Sequence, residues 1–365
     1  MATKRKNKTV FVAMSGGVDS SVAAALLKQQ GYDVVGVTMC FNISHAGGRR
    51  PLCCGADGIR DAQRAAQIIG IPHYVLNFAN DLETCVVDNF INEYLRGRTP
   101  NPCVRCNTHL KFDILLRKVR KLGADYLATG HYVAIRYNKN RRRFELRKGK
   151  DSHKDQSYFL HGIKQKTLPF VLFPLAAMNK TQVRALAQRY GLLNAAKPAS
   201  QDICFIPPAG YKKFIEQRVG SEALRPGAIK DEEGNLVGQH KGIAHYTIGQ
   251  GDKLGIALGR RVYVYKINKR TNTIYVGSSD RLLARAMTVG AVNFVSTNYP
   301  SRPLKVQAKI RYNHPPAPAL LRPLGKKKVR IEFARPQRAV TPGQSAVFYN
   351  RTVVLGGGII SVVDI

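Results

Sequence analysis

"TVFVAMSGGVDSSVAAALLKQQG", Thr9 to Gly31, decides the fold. It opens with a strand-sized apolar run and closes with an alanine-rich run that stops at Gly31. Between them two glycines sit among serines, with one aspartate and no lysine. The pattern predicts a strand, a tight turn and a helix. Gly16 and Gly17 let the backbone turn sharply and come close to a ligand. The first amides of the helix have no internal partners, and the helix dipole places partial positive charge there. Such a turn is an anion site, and Ser15, Ser20 and Ser21 add hydroxyls. The plainer alternative is a glycine turn with Asp19 or Ser20 as helix cap. A Walker-type loop would carry Lys–Ser/Thr after its last glycine. No cation stands at that position, so the loop suits a pyrophosphate that is held and then leaves.

Outward from this stretch the first half alternates. "DVVGVTMCF" and "PHYVLNF" are strand-like, and "ADYLATGHYVAI" is a fourth strand. "GADGIRDAQRAAQIIG", "LETCVVDNFINEYLRG" and "HLKFDILLRKVRKLG" are helical. Strands separated by helices of this length imply crossovers and an α/β, doubly wound parallel sheet. "NKTQVRALAQRYGLL" is a further helix, with Val183, Leu186, Ala187 and Tyr190 on one face. Past Pro207–Pro208 helix signals fade and the chain becomes glycine-punctuated and β-like. From about residue 286 short alternating strands follow one another, which suggests a small barrel or sandwich. The expected organisation is a catalytic domain over 1–205, a small mixed central domain over 206–285 and a C-terminal β-barrel over 286–365.

Charge narrows the partners. The 365 residues carry a formal net charge of +35 at pH 7, spread along the whole chain. Such an excess favours phosphate-rich partners through counterion release and long-range steering. No apolar run reaches bilayer-crossing length, and no signal core follows the basic "MATKRKNK". A cytoplasmic protein is expected.

There are seven cysteines: Cys40, Cys53, Cys54, Cys85, Cys103, Cys106 and Cys204. An odd number with one adjacent pair is a poor disulfide framework. Cys53, Cys54 and Cys85 are expected to be small buried apolar residues, although "LCCG" leaves metal binding open. In "TPNPCVRCN" the prolines at 100 and 102 predict a rigid, non-helical approach. The helix is expected to begin just beyond Cys106, where its N-terminus would lower the thiol pKa.

"SGGVDSS" after a buried strand resembles the pyrophosphate loop of the N-type ATP pyrophosphatases. The order of "AMSGGVDSS", "TPNPCVRCN", "KFDILL", "GADYLATGHY", "DSHKDQSYFL", "SQDICFI", "YTIGQGDKLGI", "KIRY" and "AVTPGQSAVFY" resembles the bacterial tRNA-specific 2-thiouridylases over essentially the whole chain. The resemblance implies a PP-loop ATPase domain, a central domain and a barrel, acting together as a tRNA-uridine 2-sulfurtransferase. Such enzymes adenylate the C2 oxygen of a wobble uridine (position 34), release pyrophosphate, and replace the oxygen with sulfur. The resemblance makes Cys106 the nucleophile and Cys204 the persulfide carrier, with a transient disulfide between them. It assigns the nucleotide to Ala13, Met14, Ser15, Gly16, Gly17, Val18, Asp19, Ser20, Met39 and Gly130. It assigns tRNA contacts to Asn101, Pro102, Cys103, His131, Lys154, Asp155, Gln156, Arg311, Tyr312 and Gln344. ATP and Mg²⁺ are the implied cofactors, with Asp19 a partner for the metal. A sulfur-relay protein or cysteine desulfurase is the implied persulfide donor, and a monomer is expected.

One position departs from the family. Many members carry aspartate where this chain has Cys103, which here forms Cys-x-x-Cys with Cys106. Related RNA thiolases with such a pair and a distant cysteine hold a [4Fe–4S] cluster, for which thiolate is the natural ligand. Cys103, Cys106 and Cys204 are therefore an alternative ligand set, and a Cys103–Cys106 redox pair is a third reading. A different adenylating enzyme acting on a small metabolite is the rival function. It gives no reason for the charge or the paired cysteines.

Overall fold

The structure, a computed structural model, describes residues 7–42, 56–195, 197, 202–325 and 327–364. Cys53 and Cys54 lie outside the described residues. The chain divides into two compact units, one holding the described residues up to Cys85, Arg105–Phe205 and Thr352–Val354, the other Val86–Val104, Ile206–Arg351 and Leu355–Ile365.

The strands of the first unit are β1 (Thr9–Ala13), β2 (Asp33–Cys40), β3 (His73–Asn77), β4 (Tyr126–Thr129), β5 (Val133–Asn138), β6 (Arg143–Lys148) and β7 (Val171–Leu172). One sheet has the order β3-β2-β1-β4-β7, and its pairings are all parallel. β1 is central, and its Val10, Phe11 and Val12 are buried, as a continuous apolar run covered on both faces should be. Helix α1 (Val18–Gln29) follows β1 directly. Its Val18, Val22, Ala23, Ala24 and Leu27 join Val10 and Val12 in one core. The small alanines let the helix lie close to the sheet. α2 (Ala56–Ile69) precedes β3. The next helical stretch passes through α3 (Ala79–Leu82), a π segment at Glu83–Val87 and α4 (Asp88–Leu95).

Two expectations about boundaries need correction here. "ADYLATGHYVAI" is not one strand. β4 stops at Thr129, and after Gly130–Tyr132 the chain enters β5, which pairs antiparallel with β6 as a hairpin. The residues at the break, Gly130 and His131, are those the resemblance places beside the ligand. The second correction concerns the cysteine segment. Its helix begins at Pro102, not beyond Cys106: α5 (Pro102–Arg105) runs into a π segment, Cys106–Leu115, and on into α6 (Leu116–Lys121). Asn101 Oδ1 accepts the Val104 amide at 3.1 Å, so Asn101 is an N-cap and Pro102 takes the first helical position. Proline is at home there because that N–H has no helical partner anyway. α7 (Lys180–Arg189) is capped by Asn179 in a capping box with Gln182.

In the second unit a helix stands where helix signals fade: α8 (Gly210–Val219). Its apolar stripe is only Phe214 and Ile215 among charged residues, too narrow to show in the sequence, and the stacked pair Tyr94–Tyr211, 4.8 Å between centroids, helps seat it. β8 (Gly227–Lys230), β9 (Leu236–His240), β10 (Tyr263–Asn268) and β11 (Thr273–Gly277) form a mixed sheet in the order β10-β11-β8-β9. Its small core includes Ile229, Val264, Ile274 and Val276. The barrel strands are β12 (Leu283–Asn293), β13 (Leu304–Lys309), β14 (Ala317–Gly325), β15 (Lys328–Arg338), β16 (Ser345–Asn350) and β17 (Val353–Asp364). They run in the order β12-β15-β14-β13-β16-β17, and pairing of β12 with β17 closes the barrel. The fold is thus a doubly wound α/β domain, a small β-rich central domain and a closed six-stranded barrel.

Candidate active site

The loop between β1 and α1 is held by backbone geometry. Gly16 has φ +78°, and a Cβ there would lie 2.2 Å from the Gly58 carbonyl oxygen in α2. Both the dihedral and the close approach therefore require glycine. The helix cap is Gly17 rather than Asp19 or Ser20, and no side chain caps α1. The hydroxyls of Ser20 and Ser21 instead donate back to the Gly17 carbonyl at 3.0 and 3.2 Å. Ser20 Oγ also accepts the Ser15 amide at 3.3 Å. Gly130, far away in sequence, sits against the same turn, and a Cβ on it would lie 2.6 Å from the Asp19 carbonyl carbon. Met39 falls at the C-terminal end of β2, where ligands bind in doubly wound sheets.

Three residues that the sequence did not point to complete this site. Lys180 Nζ lies 2.6 Å from Asp19 Oδ1, and Tyr132 donates its hydroxyl to the same oxygen at 2.7 Å. The lysine missing from the loop is supplied from α7. Its backbone is fixed as well, because Lys180 N–H donates to Asp151 Oδ2 at 3.0 Å. Desolvation alone would raise the Asp151 pKa. The amides of Lys180, His153 and Lys154 outweigh it and hold the carboxyl below its usual value. Burial, then Asp19, pushes the Tyr132 phenol up, so it stays a donor. Asn194 donates to the Gly16 carbonyl at 2.9 Å and to Ser21 Oγ at 3.0 Å. The helix that carries Lys180 was visible in sequence, but nothing local ties a lysine to a loop so distant.

"KDQ" supports the same site. Asp155 accepts from the amides of Gly149 and Ser157 and from the Ser157 hydroxyl. Gln156 Oε1 accepts the Tyr132 amide at 3.1 Å. Gln156, a predicted RNA contact, thus braces the loop that carries Tyr132, while Asp155 holds its own turn. His131 lies between the rings of Phe112 and Phe173, 6.0 and 6.1 Å away, with Nδ1 2.7 Å from Thr129 Oγ1. Burial holds its pKa well below the usual value, with Lys111 adding to the effect. The imidazole is neutral at pH 7.

Cys106 and Cys204 both lie in the first unit, Cys106 half-buried and Cys204 exposed. The expected low pKa of Cys106 is corrected by its position. It sits a turn inside the helix that starts at Pro102, and burial pushes the thiol up, with the Lys111 charge pulling the other way. The residue in the first helical turn is the exposed Cys103, which belongs to the second unit. Cys85 is half-buried rather than buried. Among the described residues no three His, Cys, Asp or Glu side chains are placed to hold a metal ion.

In the second unit Arg311 donates to the Ala339 carbonyl and, at 2.6 Å, to Thr341 Oγ1. Lys309 Nζ lies 5.3 Å from the Tyr312 ring centroid. Gln344 donates its side-chain amide to the carbonyls of Thr99 and Pro100 at 3.0 and 3.2 Å.

Comparison with known proteins extends this picture. Residues 8–208 match a family described as the tRNA methyl transferase HUP domain, residues 212–278 its PRC-barrel domain, and residues 284–360 an aminomethyltransferase beta-barrel domain. The chain is 46% identical over 361 residues to the tRNA-specific 2-thiouridylase MnmA of Acetivibrio thermocellus, covering 97% of this chain and 99% of that protein. It is 47% identical over 356 residues to the protein of that name from Carboxydothermus hydrogenoformans, covering 97% of each chain.

Proposed function

We propose a mechanism from one premise: the chain belongs to the family of tRNA-specific 2-thiouridylases. It is a sulfurtransferase that uses ATP to replace the C2 oxygen of a tRNA uridine by sulfur. Family descriptions that speak of methyl transfer do not alter this, since methyl transfer needs no pyrophosphate loop. The carrying observation is that one unit holds the loop with its borrowed lysine together with Cys106 and Cys204.

ATP lies with its β- and γ-phosphates against the amides of residues 15–20, Lys180 supplying the positive charge. Met39 and Gly130 flank the adenine. Mg²⁺ comes with the nucleotide and shields its phosphate charge. Asp19 Oδ1 is already taken by Lys180 and Tyr132, which leaves Oδ2 for the metal. The uracil O2 attacks the α-phosphorus as N3 gives up its proton, the bond to the bridging oxygen breaks, and pyrophosphate leaves. C2 now carries AMP, a far better leaving group than oxide.

Cys204 carries the incoming sulfur as a persulfide. Its terminal sulfur attacks C2 and AMP departs. The Cys106 thiolate then attacks Cys204 Sγ, and the S–S bond to the nucleoside breaks. Sulfur stays on C2 as N3 regains a proton, and a Cys106–Cys204 disulfide remains for an external thiol to reduce. Asn101, Pro102 and Cys103 face the target base, which must leave its stack to be reached. His131, Lys154 and Tyr312 contact RNA around it. The substrate is the wobble uridine, and the sulfur comes from a relay protein or cysteine desulfurase.

The test is direct. Unmodified tRNA, ATP, Mg²⁺ and a sulfide or persulfide source are incubated with the protein, and digested RNA is examined by mass spectrometry. 2-Thiouridine at position 34, dependent on ATP, is the expected result. Its absence under both aerobic and anaerobic conditions overturns the reading.

A further inference from the structure

Thr99 and Pro100 immediately precede the segment assigned to the target base, and the second unit grips them from several sides. Thr99 N–H donates to the Pro342 carbonyl at 2.9 Å. The Thr99 carbonyl accepts from Gln344 at 3.0 Å, and the Pro100 carbonyl from the same nitrogen at 3.2 Å. Thr99 Oγ1 lies 3.2 Å from Thr247 Oγ1. Gly343, at φ +93°, packs so closely that a Cβ would lie 2.8 Å from the Thr99 nitrogen.

The gripping turn is itself fixed. Gly343 N–H donates to the Ile360 carbonyl, and Ile360 N–H to the Gln344 carbonyl, each at 2.9 Å. Arg311 anchors its start through Ala339 and Thr341. A carboxamide nitrogen has two protons, and in Gln344 that nitrogen serves both Thr99 and Pro100. The carboxamide nitrogen is thus turned toward the Thr99–Pro100 backbone.

We infer that the barrel turn Ala339–Gln344 is the mount of the target-base segment: Gln344 is a positioning residue, backed by Arg311 and Thr341, that sets where Asn101–Cys103 meet the substrate uracil. This rests on the thiolation reading. It replaces the expectation that Gln344 touches tRNA. A mount acts on the chemical step, because a displacement of about 1 Å at a reacting centre can cost on the order of 100-fold. A contact acts on affinity.

The two are separated by measuring tRNA binding and single-turnover 2-thiouridine formation on the same proteins. Gln344→Ala and Gln344→Glu should lower the single-turnover rate at saturating tRNA by about tenfold or more, while tRNA Kd moves less than about twofold. Gly343→Ala should do the same, although it adds a methyl and removes no polar group. A Kd weakened with the saturating rate unchanged overturns the inference and restores Gln344 as an RNA contact. Both values unchanged also overturn it. If Gln344→Ala does not fold, Thr247→Ala removes one hydroxyl from the same mount and is judged by the same split. A wild-type protein that makes no 2-thiouridine at all fails the thiolation reading instead.

Discussion

The phosphate loop and the Thr99–Cys106 segment are both short bends that lead into a helix, yet they are made in different ways. The first is shaped from within, because Gly16 must be glycine for its dihedral and its approach to Gly58, and Ser20 and Ser21 fold back on Gly17. The second has no glycine. Asn101 caps its helix, and its backbone is held by residues from the central domain and the barrel. A site made of local backbone can be read from a short motif. A site hung on distant hydrogen bonds cannot, and its apparent contacts are partly its supports.

The largest expected effect breaks the two regions apart chemically. Cys106→Ser or Cys204→Ser should cut 2-thiouridine formation by at least about 10⁴-fold, the scale on which removing a nucleophile acts. ATP-dependent pyrophosphate release in the presence of tRNA should survive, because the loop is untouched. Gly16→Val should remove both. Loss of pyrophosphate release in the cysteine variants would mean that the two regions do not divide the reaction in this way.

Lys180→Met comes next. The loop lacks its own cation, so removing the one 2.6 Å from Asp19 should slow pyrophosphate release by roughly 10²–10³-fold, as loss of a preorganised charge does. The cysteine chemistry needs no cation there, so a pre-adenylated RNA should react normally. An equal defect on that substrate would make Lys180 a general structural support.

These contrasts explain what was legible. The doubly wound sheet and the phosphate loop stood in the sequence, because alternation and Gly16–Gly17 are local signals. Lys180, Tyr132 and Asn194 did not, because each reaches the loop from more than a hundred residues away. The helix start was misplaced because prolines at 100 and 102 look like breakers, whereas Asn101 as cap makes Pro102 a helix starter. That error carried the pKa of Cys106 with it. α8 was missed because its buried stripe is two residues wide.

The corrected position of Cys106 yields a pH prediction. Burial raises its pKa, and the reactive form is the thiolate. The neutral thiol therefore prevails near pH 7, and the sulfur-transfer rate should climb as pH rises past the ordinary thiol range. Lys111 pulls the pKa down. Lys111→Met should shift the rising limb to higher pH, slowing the reaction at pH 7 by about two- to tenfold and less at alkaline pH. A single-turnover pH profile checks it. A limb that does not move would show that a group other than Cys106 sets the rate.

The smallest effect concerns RNA grip away from both bends. The β5–β6 hairpin exposes Arg136, Lys139, Arg141 and Arg142. Its acid, Glu145, is buried, accepting from Asn138 at 2.7 Å and pairing with Arg147 at 3.6 Å. Arg141 Nη1 also lies 4.0 Å from the same carboxylate, while Lys139 and Arg142 face solvent at the tip. Lys139→Ala with Arg142→Ala removes two exposed charges and leaves the Arg141–Glu145 pair in place. If the tip meets the phosphate backbone, tRNA binding should weaken two- to tenfold, and the slope of log affinity against log salt should flatten by about 1–2. The saturating single-turnover rate should stay put, since backbone phosphates position the RNA and do not enter the chemistry. A lowered saturating rate with an unchanged salt slope would place the hairpin among the mounts rather than the contacts, and would draw β5–β6 into the same class as the barrel turn.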